Sequence, residues 1–229
     1  MTAAGQVGRV VAIDGPAASG KSTVARRVAQ RLGYLYVDSG ALYRGVTWAA
    51  LSHGIEGTDT AGVLRQMAAS HFTFYVADGA VTFDIDGVHP VDELRTEAVN
   101  CNVSPVAATP EVRAQVVAWL RDMLRLGALV MEGRDIGTKV FPDTPCKFYL
   151  DATPEERARR RHGESRERVS VAEVGEALRR RDTIDSARKT DPLKVAADAR
   201  VIDSTGLDVN TVAELILSAV AAAGHVPSA

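Results

Sequence analysis

Gly15-Pro16-Ala17-Ala18-Ser19-Gly20-Lys21-Ser22 fits G-x-x-x-x-G-K-[ST], the spacing of a phosphate-binding loop. Its flanks are the ones such a loop requires. Val10-Val11-Ala12-Ile13 is a short apolar run that reads as a buried strand. Thr23 to Leu32 reads as a helix, with Val24, Val28 and Leu32 four apart on one face. Glycine at 15 and 20 permits positive φ and close approach, so consecutive N–H groups can surround a phosphate chain. The helix that begins near Lys21 adds the positive end of its dipole. On this reading the stretch from Gly15 to Thr23 cradles donor phosphates, with Lys21 reaching the β- and γ-phosphates and the Ser22 hydroxyl reaching Mg²⁺.

The chain has 229 residues, enough for one large α/β domain or a core with an insert. No apolar run approaches 18 residues, so no membrane-spanning helix is expected. Met1 to Gly8 lacks the basic start and apolar centre of a signal peptide. Cys101 and Cys146 are far apart and in no metal-ligand spacing, which suits reduced thiols in a cytoplasmic protein. A net charge of −2 argues against a general nucleic-acid coat. The basic residues are nonetheless concentrated, with arginine at 157, 159, 160, 161, 166, 168, 179, 180, 181 and 188. Most of such a run is expected to be a solvated face. A mobile basic segment facing a phosphate loop is also what phosphoryl transfer needs, and Arg157, Arg161, Arg181 and Arg188 are the members singled out for it. An RNA-binding arm is the competing use, although aromatic stacking partners are scarce there.

Strands and helices alternate along most of the chain. Tyr34 to Asp38, Ala128 to Met131, Cys146 to Leu150 and Ala199 to Asp203 read as further strands. Ala41 to Leu51, Leu64 to Ala69, Pro110 to Leu126, Pro154 to His162, Val171 to Thr183 and Val209 to Ala223 read as helices. That alternation predicts a doubly wound parallel sheet with right-handed crossovers. The texture changes near the middle. Phe72 to Val76 and Ala80 to Ile85 alternate around Asp78-Gly79, a strong hairpin signal. About residues 56–100 therefore read as a small α+β insert.

Asp38-Ser39-Gly40-Ala41-Leu42-Tyr43-Arg44 follows the second strand. Ligands in open parallel sheets sit at the carboxyl ends of strands, which puts Ser39 and Arg44 beside the phosphate loop. Arg44 can grip a phosphate with two prongs and Ser39 can add a hydroxyl, but a helix cap plus a surface arginine would look the same. Gly133-Arg134-Asp135 follows another strand on the same edge, as a site or as a structural ion pair. Neither a paired-histidine metal motif nor a Cys–His nucleophile pair is evident. None is needed if the acceptor is a phosphate monoester, which is largely dianionic at neutral pH and is its own nucleophile.

At this point the chain resembles bacterial cytidylate (CMP/dCMP) kinases. Four stretches carry the resemblance: Ile13-Asp14-Gly15-Pro16 into Gly20-Lys21-Ser22; Asp38 to Arg44; Gly133-Arg134-Asp135-Ile136-Gly137-Thr138 with Val140-Phe141-Pro142-Asp143; and Arg181-Asp182, Asp185-Ser186, Arg188 and Pro192-Leu193. The resemblance implies a P-loop doubly wound parallel five-stranded sheet with a small α+β insert and an arginine-rich helical lid. The core would be 1–55 and 101–229, the lid about 157–170, and the monophosphate-binding insert 56–100. It implies ATP as donor, Mg²⁺ on Ser22 with Asp38 through water, and CMP and dCMP as acceptors. Lys21, Arg134, Arg157, Arg161 and Arg188 would act on the transferring group. Ser39, Arg44, Arg134 and Arg188 would hold the acceptor phosphate or its neighbours, and Arg181 and Asp185 would lie at the sugar and phosphates. Ser104, Arg113 and Asp135 would read the base. Two stretches depart from the family pattern. Pro105 favours extended backbone at Ser104. Lys189-Thr190-Asp191 stands where the family is more apolar, and Asp191 adds a negative charge beside Arg188. A cytoplasmic monomer with no nucleic-acid or membrane partner is expected.

Overall fold

The computed structural model describes residues 9–164, 170–188 and 190–224. Met1 to Gly8, Arg166, Arg168, Lys189 and the far end of the expected lid lie outside the described residues, as does the tail from residue 225.

A single sheet organises the chain, in the order β3-β4-β2-β5-β1-β6-β7. β1 (Val10–Asp14) is buried along its whole length between β5 (Leu129–Gly133) and β6 (Cys146–Asp151), parallel to both. β2 (Leu35–Asp38) runs parallel beside β5, and β7 (Arg200–Asp203) parallel beside β6. Strands covered on both faces read as continuous apolar runs, which is why β1 and β5 were legible. On one face, α1 (Lys21–Leu32) and α8 (Val209–Ala222) pack Val24, Val28, Val212 and Ile216 against Ile13, Phe148 and Leu150. On the other, α2 (Ser39–Leu51), α4 (Glu97–Ala108) and α5 (Pro110–Asp122) pack Val46, Val103, Val116 and Leu120 against Ala12, Val37 and Met131.

The hairpin of β3 (Phe72–Ala77) and β4 (Ala80–Ile85) follows α3 (Thr60–Ala69). Asp78 and Gly79 both have positive φ, 49° and 72°, the geometry that matches strand twist in a two-residue hairpin turn. The hairpin does not stand apart. The Tyr36 N–H donates to the Gly79 carbonyl (3.0 Å), which joins β4 to the edge of β2. Phe72 stacks on Trp119 of α5 with ring centroids 4.5 Å apart. The expected count of five strands therefore holds for the parallel core, β2-β5-β1-β6-β7. The apolar face of the hairpin extends the same sheet to seven.

α4 is a second difference. Pro105 lies inside it, and Ser104 is helical rather than extended. An interior proline forfeits a backbone hydrogen bond and costs about 3 kcal/mol. Burial of Val99, Val103 and Val106 and the Thr96 cap, whose side chain accepts from the Val99 N–H, offset that cost. The expected boundary at residue 100 falls within this helix. α6 (Pro154–Glu164) and α7 (Val171–Ala187) pack together, and α7 runs a turn past its expected end.

Candidate active site

Strand register gathers the site along one sheet edge. Asp14 pairs with Gly133 and with Tyr149, and Asp38 pairs with Glu132, so β1, β2 and β5 end side by side. The loop after β1, the start of α2 and the turn after β5 then open onto one cleft of about 270 Å³.

The loop after β1 has the backbone its sequence requires. Gly15 has φ 151°, and a Cβ there would sit 2.1 Å from the Leu150 carbonyl oxygen. Gly20 has φ 89° and precedes α1 directly. Ala17, Ala18, Gly20, Lys21, Ser22 and Thr23 line the cleft, whereas Gly15, Pro16 and Ser19 stand behind it. Lys21 Nζ donates to the Pro16 carbonyl (2.6 Å) and to Ser19 Oγ (3.4 Å). Burial pulls the Lys21 ammonium down to about 7, Arg134 adds to that, and Glu132 and Asp14 oppose it. A polyanion beside Nζ would restore the charge.

Arg157 and Arg160 of α6 hold this loop from outside. Arg157 Nη1 donates to the Ala17 carbonyl (3.1 Å) and pairs with Asp182, whose carboxylate accepts from the Ala17 N–H (3.1 Å). Arg160 Nη1 donates to the Ser19 carbonyl (3.2 Å) and Nη2 to the Ser204 carbonyl (2.7 Å). Arg157 does not line the cleft; Arg161, Arg181 and Arg188 do. Arg160 was read as part of a solvated face, and only its contact with the loop, 141 residues away in sequence, reveals its use.

The other wall is built from paired charges. Ser39 Oγ donates to the Glu132 carbonyl (2.7 Å), and a Cβ on Gly133 would lie 2.5 Å from that hydroxyl, so only glycine fits. Asp38 caps α2 through the Ala41 N–H and pairs with Arg44 (3.1 Å). Arg134 Nε donates to Asp185 (3.0 Å). Arg113, 1% exposed, pairs with Asp135 through Nη2 and with Asp191 through Nε (3.0 Å). Arg188 Nη2 is buried without a hydrogen-bond partner, and its neighbouring carboxylate oxygen on Asp135 is 3.6 Å away. Burial, with Arg134 beside it, lowers Arg181 to about 10. Burial also raises the Asp135 carboxyl, against the pull of Arg113 and Arg188. Ser104 lines the cleft from α4.

Glu132 and Asp14 were not foreseen. Glu132, the penultimate residue of β5, lines the cleft, is buried, and accepts from Tyr36 Oη (2.9 Å). Its position at the end of an apolar strand beside β1 was the available signal. Asp14 accepts from the N–H groups of Ile136 (2.8 Å) and Gly137 (2.8 Å), fixing the turn that carries Arg134 and Asp135. Burial raises Asp14 to about 6, against those two hydrogen bonds. Asp14 has no motif of its own beyond the residue preceding Gly15. Among the described residues, eight cationic side chains and four carboxylates line the cleft, so it is positive in a chain of net charge −2. Such a cleft concentrates polyanionic ligands.

A parallel sheet with a phosphate-binding loop at its centre and an arginine-lined cleft at its carboxyl edge defines the P-loop phosphotransferase class. The family model of cytidylate kinase matches residues 11–222, and the chain belongs to that family. The cytidylate kinase of Nitrosomonas eutropha is 41% identical over 220 residues, covering 95% of this chain and 96% of that one. That of Geobacillus kaustophilus is 43% identical over 213 residues, covering 92% and 95%. A solved structure of an uncharacterised protein from Eubacterium ventriosum aligns over 92% of this chain and 97% of that one, with a TM-score of 0.52 and 12% identity, a likeness of fold alone. Among the described residues, no helix is long and apolar enough to cross a membrane.

Proposed function

We propose that this chain transfers the terminal phosphoryl group of ATP to CMP and dCMP, giving ADP with CDP or dCDP. The carrying observation is the Arg113–Asp135 pair in the wall of the cleft that also holds Lys21. Cytosine offers an exocyclic amine that a carboxylate accepts, and O2 and N3 acceptors that a guanidinium serves. Asp135 and Arg113 suit that combination, and Ser104 also lines the cleft. Uracil would set a carbonyl against the Asp135 carboxylate, a mismatch worth roughly a hundredfold or more.

The acceptor phosphate is its own nucleophile, so the protein's work is positioning and charge neutralisation. Arg188 Nη2, buried and 3.6 Å from Asp135 but without a hydrogen bond, has donor capacity left for an anionic acceptor. Arg44, Arg134 and Arg181 share that wall, with Ser39 at the start of α2 and Asp185 on α7 for the sugar. Lys21 and the loop amides hold the donor phosphates. Arg161 joins Arg134 and Arg188 around the transferring group. Arg157 is given the role of holding the loop, because both its partners are loop or lid groups.

Mg²⁺ fits the donor set of Ser22, Glu132 and Asp38, a hydroxyl and two carboxylates on the cleft. Among the described residues no three His, Cys, Asp or Glu side chains cluster to hold a metal ion by themselves. That suits an ion bound through one or two carboxylates and substrate phosphates. Bound there, it neutralises charge on the β- and γ-phosphates. We place the enzyme in the cytoplasm as a monomer acting on small molecules, in pyrimidine nucleotide metabolism.

The test is ADP formation from ATP and Mg²⁺ with CMP, dCMP, UMP, AMP or no acceptor. Fast turnover with CMP and dCMP over UMP is expected. Equal turnover with all acceptors would remove the base-reading role, and none with any acceptor would remove the activity.

A further inference from the structure

Asp191 stands outside the cleft yet touches the residues that line it. It follows α7 with φ 46°, a left-handed conformation that aspartate tolerates better than most residues. Its main-chain carbonyl accepts from Arg188 Nε (2.6 Å), and the Leu193 N–H donates to the Asp185 carbonyl (2.9 Å). The loop is thereby folded back on the end of α7. Its carboxylate accepts from Arg113 Nε (3.0 Å) and lies 3.4 Å from Lys139 Nζ.

Arg113 is held on every side. Nη1 donates to the Ala107 carbonyl (3.2 Å), Nη2 pairs with Asp135, and the Tyr43 ring lies 5.3 Å below the guanidinium. Asp135 has a second arginine in reach, Arg188 at 3.6 Å. A carboxylate that must accept from a base cannot at the same time be the sole anchor of Arg113. Burying a guanidinium with one departing partner is costly. A second carboxylate, on Nε, eases that conflict, since Nε stays bound to Asp191 and Nη1 to the Ala107 carbonyl when Asp135 turns to a base. Burial would raise the Asp191 carboxyl, but its hydrogen bond from Arg113 and the charges of Arg113 and Lys139 hold it below the ordinary range, so it is anionic at neutral pH.

We infer that Asp191 is a positioning residue for base recognition: it fixes Arg113 toward the acceptor base and ties that arginine to the segment bearing Arg181, Asp185 and Arg188. This rests on the reading of Arg113 as a base contact. Asp191 lies outside the cleft, and its carboxylate acts through Arg113. Lys139, 49% exposed, adds a second cation beside the Asp191 carboxylate.

The experiment is steady-state kinetics of Asp191→Asn and Asp191→Gly with CMP and UMP, alongside Arg113→Met. Glycine relieves the positive φ while deleting the carboxylate, so it separates backbone geometry from charge. Both Asp191 variants are expected to raise the KM for CMP about tenfold, the loss of one charge-assisted hydrogen bond, with kcat and the KM for ATP within about twofold. Their preference for CMP over UMP is expected to narrow. Asp191→Glu is expected to recover part of the loss. A KM for CMP within twofold of the parent in Asp191→Gly overturns the inference. So does a parallel loss in kcat, both KM values and thermal stability, which marks a merely structural role. If Arg113→Met itself keeps the affinity for CMP, the base-reading assignment falls and the inference with it. If Arg113→Met loses that affinity while both Asp191 variants keep it, only the inference falls.

Discussion

The two walls of the cleft are made of different material. The wall proposed for the donor is backbone: consecutive amides after β1, two alanines whose side chains carry no chemistry, and a helix N-terminus. The wall proposed for the acceptor is side chains: Arg44 from α2, Arg113 from α5, Arg134 and Asp135 from the turn after β5, and Arg181, Asp185 and Arg188 from α7 and its end. Eight neighbouring residues specify the first. The second needs partners as far apart as Arg113 and Asp191, 78 positions along the chain. A backbone site is robust to most side-chain changes and is written locally. A site of buried ion pairs fails when one partner is removed, because the other is left charged and unpaired.

Four substitutions break or sharpen that contrast. Lys21→Ala removes the ammonium of the donor wall, and kcat is expected to fall about 10³-fold with the affinity for CMP little changed. Asp135→Asn swaps an acceptor for a donor at the base, and kcat/KM for CMP is expected to fall about 10²-fold while that for UMP rises. Rate measurements across pH probe the same group without substitution. The Asp135 carboxyl is raised by burial. As pH falls toward that raised value, more of the enzyme carries a neutral carboxyl that can donate to uracil O4. The ratio of CMP to UMP turnover is therefore expected to shrink as pH falls, and to lose that trend in Asp135→Asn.

Asp14→Asn tests the joint between the walls. Asparagine can accept from only one of the Ile136 and Gly137 N–H groups, so the Arg134–Asp135 turn loosens while the donor loop keeps its own contacts. A rise of about tenfold in the KM for CMP, with a smaller change for ATP, is expected in initial-rate assays. The smallest effect belongs far from both walls. Arg31 pairs with Glu214 on the exposed faces of α1 and α8. Arg31→Ala is expected to change stability by less than about 0.5 kcal/mol in a urea melt.

The same contrast explains what could be read in the sequence. The phosphate loop, the Asp78-Gly79 turn and the apolar faces of α1 and α5 are local patterns, and the structure follows them. α4 escaped because Pro105 argues against a helix locally, while burial of Val99, Val103 and Val106 decides for one at long range. Gly133 was noticed as a strand-end glycine, but its reason, the Ser39 hydroxyl 2.5 Å from where a Cβ would stand, belongs to another segment. Arg160 looked like one of many surface arginines until the Ser19 and Ser204 carbonyls came within its reach. Asp191 was visible as an extra charge near Arg188, yet its partner proved to be Arg113.

Calorimetric titration of ATP and of CMP into Lys21→Ala and Asp135→Asn tests the division of the cleft most directly. The account predicts a crossed pattern: Lys21→Ala weakens ATP and spares CMP, and Asp135→Asn weakens CMP and spares ATP. Equal weakening of both ligands by both variants would contradict it, because the two walls would then be one site.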